Sequence, residues 1–177
     1  MASETEKRAK LTGSPFAFVL NKDGSLCRWQ LFLFIAISLC VKASASLALQ
    51  NLELIEITVK QQKLSVELAA NSHTRMVGLS ERKSMPEDRG MLFAYKKEKM
   101  LSFWMRDTYI PLSIAFLNSS GTILNILDMD PLNTTPRYRS VEPAQFALET
   151  HIGWFERHGI RVGDRIYFHV PDSAIAD

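Results

Sequence analysis

The sequence predicts an α+β domain that is mainly β, a compact antiparallel barrel-like sheet with one or two short helices. Three observations point to it. Short strand-like apolar runs recur between residues 52 and 170, the first two alternating apolar and polar residues, windows with helical spacing are few and brief, and turn-forming Gly, Pro, Asn and Ser stand between the runs. Closing such a sheet on itself removes the edges that would otherwise pair with other chains. The 177 residues, 46% hydrophobic and 23% charged, suffice for one core and are too apolar for a disordered chain.

Leu54–Val59 and Leu64–Ala69 alternate apolar and polar residues around a Lys/Gln turn and read as an antiparallel hairpin. Asn71–Arg82 is the best helical window, with Asn71 or Ser72 as its cap, and Pro86 with the turn Glu87–Gly90 closes that region. Strands are then expected at Gly90–Tyr95, Leu101–Arg106, Ser113–Asn118 and Ile123–Asp128. The stretch Lys96–Lys99 reads as a solvated loop and Pro131–Ser140 as a polar one. Phe146–Thr150 is a further strand, Trp154–His158 one helical turn, and Arg165–Val170 the last strand. The single folded domain thus spans 52–170, followed by a short tail at 171–177.

Residues 1–45 read differently, as an N-terminal extension and signal peptide. Leu31–Val41 is an unbroken apolar stretch with Arg28 before it and the small-residue run Ala43–Ser46 after it, the pattern of a secretory signal cleaved after Ala45 or, second, Ala48. It is short for a membrane span. The expected location is therefore the periplasm or cell envelope, the alternative being an inner-membrane anchor formed by an uncleaved Leu31–Val41. Both cysteines, Cys27 and Cys40, precede the cleavage point, so the mature chain would have neither disulfide nor thiolate chemistry.

Charge excludes another class. Six basic and three acidic residues lie up to Ala45, leaving 15 basic and 16 acidic in the remainder. That balance lacks the clustered positive charge of a nucleic-acid footprint. Gly-rich phosphate loops and nucleophile elbows are absent, and His73, His151, His158 and His169 show no metal-ligand spacing, so neither a cofactor nor a metal is expected.

One constellation can carry recognition: Arg75, Arg82, Trp104, Asp107, Thr108 and Glu149. Two arginines can hold a carboxylate or phosphate bidentately, Trp104 offers a flat face to a sugar ring or acyl chain, and Asp107 and Thr108 add an acceptor and a donor. The competing reading is structural: Arg75 or Arg82 pairs with Glu149 and Trp104 caps the core. Asp107 and Glu149 are also the carboxylates that a glycosidase-like mechanism would require, at a separation the sequence does not give.

These residues fall in blocks that resemble a known family. Arg75-x-x-Gly78-Leu79 with Arg82, Gly90–Phe93, Phe103–Met105 with Thr108, Pro111-Leu112 with Phe116, Ala147–Glu149, Gly153 and Gly163-Asp164 together resemble the family known as domain of unknown function 192. The resemblance covers nearly all of residues 54–170 and implies an often exported bacterial or archaeal protein with no established activity. Where the family usually has Asn and Asp, this chain has Asp107 and Ser113; where many members carry Cys, it has Leu132. The expectation is an exported, non-enzymatic binding or accessory module for a small anionic or carbohydrate ligand or an envelope protein partner. The alternative is a hydrolase of an envelope polymer acting through paired carboxylates.

Overall fold

A computed structural model describes residues 52–176 apart from Pro136. The expected signal peptide, including Leu31–Val41 and both expected cleavage positions, lies outside the described residues. Among these, no helix is long and apolar enough to cross a membrane.

The expected hairpin is β1 (Leu54–Val59) against β2 (Gln62–Ala69), in antiparallel register from Leu54↔Glu67 to Val59↔Gln62, with Lys60 at φ 53° in the turn. The chain then makes α1 (Ser72–Val77). Asn71 caps it reciprocally: its side chain accepts from Thr74 N at 2.9 Å, and its own N–H donates to Thr74 Oγ1 at 3.1 Å. Gly78, at φ 51°, ends the helix, and its N–H returns to Thr74 O.

Strand β3 (Arg89–Lys99) lies parallel to β2, a departure from an all-antiparallel sheet. Residues 70–88, with α1 among them, provide the crossover that a parallel pair requires. β3 also outruns the expected strand, because Lys96–Lys99 continue it as an exposed arm across a register shift. The expected strand Leu101–Arg106 shrinks to β4 (Ser102–Phe103), which pairs only with β7 (Tyr138–Arg139). The remaining elements are β5 (Leu112–Leu117), β6 (Ile123–Met129), β8 (Ala144–His151), α2 (Trp154–Arg157) and β9 (Ile166–Tyr167), the last shorter than expected.

The main sheet runs β6-β5-β8-β3-β2-β1-β9 and curls into a half-barrel. Its outer strands approach one another: Thr122 bridges Arg165, Ile123 N–H donates to Asp164 O, and Ile166 N–H donates to Gly121 O. The curl therefore protects the edges, as the sequence pattern required.

Both faces of the sheet are covered, and each has its own core. One core joins Val66, Leu92, Leu117 and Leu148 to Trp154 and Phe155 of α2. Its partly buried margin includes Phe168, Ala174 and Ile175, so the tail packs on this face around a 3₁₀ turn at Asp172–Ala174. The other core gathers Phe93 and Phe116 of the sheet with Leu79 and Met85, which follow α1, and Phe103 of the 101–110 segment.

Candidate functional site

In β8, alternation sends Phe146 and Leu148 to the first core and Ala147 to the second. Glu149 is next in the second series. It sits mid-sheet between Met91 of β3 and Ile114 of β5, where an aliphatic side chain would be the ordinary occupant, and it is only 4% exposed. Among the described residues, no hydrogen bond or ion pair reaches its carboxyl group. Burial pushes the pKa up to about 8, so the group is largely protonated at neutral pH.

Gly90 makes this placement possible. A Cβ there would lie 2.5 Å from the Glu149 carbonyl oxygen, so any side chain would force β3 away from β8.

Glu149 forms part of the wall of a cavity of about 140 Å³. Residues 75–80 of α1 and its following turn form another side, with Phe93, Tyr95, Phe103, Trp104 and Thr108 opposite. Since water takes about 30 Å³ in the liquid, this chamber admits a single small group, not an oligomer. Four of the six sequence candidates meet here: Arg75, Trp104, Thr108 and Glu149.

Arg75 is committed to the backbone on one side. Its Nη1 donates to the carbonyls of Ala70, Ala94 and Ala176, and its guanidinium lies 4.8 Å from the centre of the Tyr95 ring. Thr108 is buried and its Oγ1 donates to Arg106 O. Trp104 is 39% exposed, and its ring already holds two guanidinium groups, Arg106 at 4.6 Å and Arg137 at 4.4 Å. A ligand meets an aromatic ring with a cationic border, not a bare apolar face.

The other two candidates lie outside the chamber lining. Asp107 is an exposed turn residue at φ 57° whose carbonyl accepts from Glu81 N–H at 2.7 Å. Asn and Asp tolerate this left-handed conformation better than other non-glycine residues, which accounts for either at this position without invoking an acid. Arg82 grips Glu67 of β2 with two parallel hydrogen bonds, Nη1–Oε1 at 2.5 Å and Nη2–Oε2 at 2.6 Å. The ion pair from Arg75 or Arg82 to Glu149 does not form: Arg82 takes Glu67 and Arg75 takes carbonyl oxygens. Sequence reasoning missed Glu67 and Tyr95. Nothing local marks Glu67 beyond its alternating strand position, since its partner is fifteen residues away.

The Arg82–Glu67 pair is about three-quarters buried and ties the post-helix turn to the sheet. Arg82→Ala is expected to cost about 2 kcal/mol by leaving Glu67 unpaired, and Arg82→Lys about half that, by denaturant titration. A loss below ~0.5 kcal/mol would show that the pair contributes no more than an ordinary surface bridge.

Ser113 lies on the opposite face. It donates to Asp128 Oδ1 of its cross-strand partner at 2.5 Å and accepts from Gly153 N–H at 2.8 Å, so its hydroxyl fixes the start of α2. His151 and His158 bond to the carbonyls of Met85 and Trp154. Among the described residues, no group of three or more His, Cys, Asp and Glu comes together as a metal site. No second carboxylate joins Glu149 in the chamber lining.

The fold has relatives of known structure. A protein from Sinorhizobium meliloti, described as a candidate transcription regulator, is 31% identical, with a TM-score of 0.64 over 67% of this chain and 95% of its own. A protein of unknown function from Novosphingobium aromaticivorans is 30% identical, with a TM-score of 0.62 over 67% of this chain and 87% of its own. No curated protein matches the chain. The model of domain of unknown function 192, described as an uncharacterised ACR, matches residues 55–168, nearly the whole described domain, and the chain belongs to that family.

Proposed function

We propose that the domain is a non-enzymatic binding module that takes one polar end of a small ligand into the chamber beneath α1. The observation that carries this is Glu149: a carboxyl group at a core position, 4% exposed, without a partner among the described residues, in the wall of a cavity. A buried polar group without a hydrogen bond costs about 1–3 kcal/mol, and a ligand that supplies one offsets this cost on binding. Thr108 and the Trp104 ring provide a further polar contact and a stacking surface.

Binding fits better than hydrolysis. A glycosidase uses two carboxyl groups flanking one bond, about 5–9.5 Å apart. Here the second candidate, Asp107, is an exposed turn residue beside Arg106. The Sinorhizobium relative's description would suggest nucleic-acid contact, yet the 15 basic and 16 acidic residues beyond Ala45 give no electrostatic basis for it. The signal-peptide pattern at Leu31–Val41 supports the periplasm or envelope as the module's location, where its ligand or an envelope protein partner would be found.

The test is a thermal-shift panel of envelope sugars, sugar acids, peptidoglycan fragments and nucleotides against the full chain. Glu149→Gln and Trp104→Ala are run beside wild type. A compound that stabilises wild type, binds more weakly to both variants and is recovered unchanged supports the module. Cleavage of that compound, abolished by Asp107→Asn, would return the hydrolase reading.

A further inference from the structure

A second cavity adjoins the chamber. It has a volume of about 340 Å³, is lined by Arg75, Tyr95, Lys96, Lys97, Glu98 and Lys99, and shares Arg75 and Tyr95 with the Glu149 chamber. The exposed arm of β3, which the sequence presented as a solvated loop, is thus one wall of a site.

Two cations converge in this compartment. The Arg75 guanidinium lies 4.8 Å, and the Lys99 Nζ 4.4 Å, from the centre of the same Tyr95 ring. The two cations, with Lys97 beside them in the lining, give this compartment an excess of positive charge that an anion would offset. The one carboxylate in the lining is diverted elsewhere: Glu98 accepts from the Ser119 N–H at 2.6 Å, and that bond holds its pKa below the ordinary range. Arg75 commits only Nη1 to carbonyl oxygens; among the described residues nothing takes its Nη2 or Nε. Tyr95 is partly buried, and burial raises its pKa, so the ring stays neutral beside both compartments.

The inner compartment differs in kind. It is aromatic along Phe93, Phe103 and Trp104, carries hydroxyls at Ser80, Ser102 and Thr108 and the Glu149 carboxyl, and has Arg75, shared with the outer compartment, as the one cation in its lining. We infer that the two compartments together bind a hydroxylated anion, a sugar acid or sugar phosphate, with its ring hydroxyls toward Glu149 and Thr108 and its carboxylate or phosphate among Arg75, Lys97 and Lys99. This rests on the binding reading above and adds the ligand class. A neutral sugar would fill the inner compartment and leave the cations unmatched. A simple anion would do the reverse. A molecule with both features spans the shared residues Arg75 and Tyr95.

The experiment compares D-glucuronate, D-glucose 6-phosphate, D-glucose and inorganic phosphate, each at about 10 mM, by melting temperature and by chemical-shift mapping on the full chain. The double variant Lys97→Ala/Lys99→Ala and the single variant Glu149→Gln are run in parallel; Arg75 is left intact because it holds three backbone carbonyls. The expected result is a rise of about 3 °C or more for glucuronate or glucose 6-phosphate, at least twofold that for glucose or phosphate. The shift falls to the glucose level in the double variant and to the phosphate level in Glu149→Gln. Whichever of the two charged sugars protects more identifies the anion as carboxylate or phosphate.

Equal protection by glucose and glucuronate, unchanged in the double variant, would overturn the anion assignment while leaving the Glu149 chamber as a binding site. Protection by phosphate alone, lost in the double variant but not in Glu149→Gln, would overturn the chamber reading. Absence of any shift or chemical-shift change with all four probes would overturn both.

Discussion

Glu149→Gln is expected to flatten the pH dependence of stability and to raise the melting temperature by roughly 10 °C at pH 8.5, while leaving it close to wild type at pH 5. In the folded chain burial pushes the Glu149 pKa up to about 8, against an ordinary value of 4.5. Between those two values the folded state keeps a proton that the unfolded state releases. The favourable contribution is therefore fully present below about pH 4.5, declines by about 1.4 kcal/mol per pH unit above it, and is gone once pH passes about 8. Glutamine is similar in size, carries no titrating proton and escapes that decline. The readout is the difference between the two melting curves from pH 5 to 8.5, because every other titrating group contributes to both. Parallel curves would mean that water or a rearranged side chain reaches the carboxyl, and the chamber would lose its central feature.

The same residue shows how far the sequence could be read. Alternation in β1 and β2 was legible because one residue in two is forced toward a core, and Asn71 marked its helix because a cap is a local chemical event. β8 was legible as a strand, but not the fate of Glu149. Strand periodicity assigns a face without saying whether that face is covered, and the cover comes from Leu79, Met85 and the 101–110 segment, distant in sequence. The parallel β2/β3 pairing escaped for a related reason: a crossover and a meander present the same strands to a local reading. Charge misled at Lys96–Lys99, where a strand continues past the core because its backbone still pairs, at Lys99↔Ala144, while its side chains face solvent. Four of the six site candidates line one cavity, although they come from α1, β8 and the 101–110 segment. Arg82 and Asp107 do not, because the same chemistry also serves to brace a turn or occupy a left-handed one.

Phe93→Ala should have the largest effect on stability, a loss of about 3–5 kcal/mol measured by denaturant titration. Phe93 is 2% exposed and meets Phe103 edge-to-face at 4.9 Å and 82°; Phe103 in turn meets Phe116 at 5.8 Å. Removing the ring forfeits its transfer energy, opens a void and ends an aromatic contact of about 1 kcal/mol. Its consequences should reach the site, because Phe93 also lines the chamber and supports the turn at Gly78, where a Cβ would touch its ring at 3.3 Å. Leu117→Ala provides the comparison: it is fully buried in the core on the other face and should cost about 2–5 kcal/mol. Two variants of similar stability then separate packing from recognition. If the chamber is a site, glucuronate protection is lost in Phe93→Ala and retained in Leu117→Ala at temperatures where both remain folded. Equal loss in both would mean that binding follows global stability, and the aromatic wall would be only core.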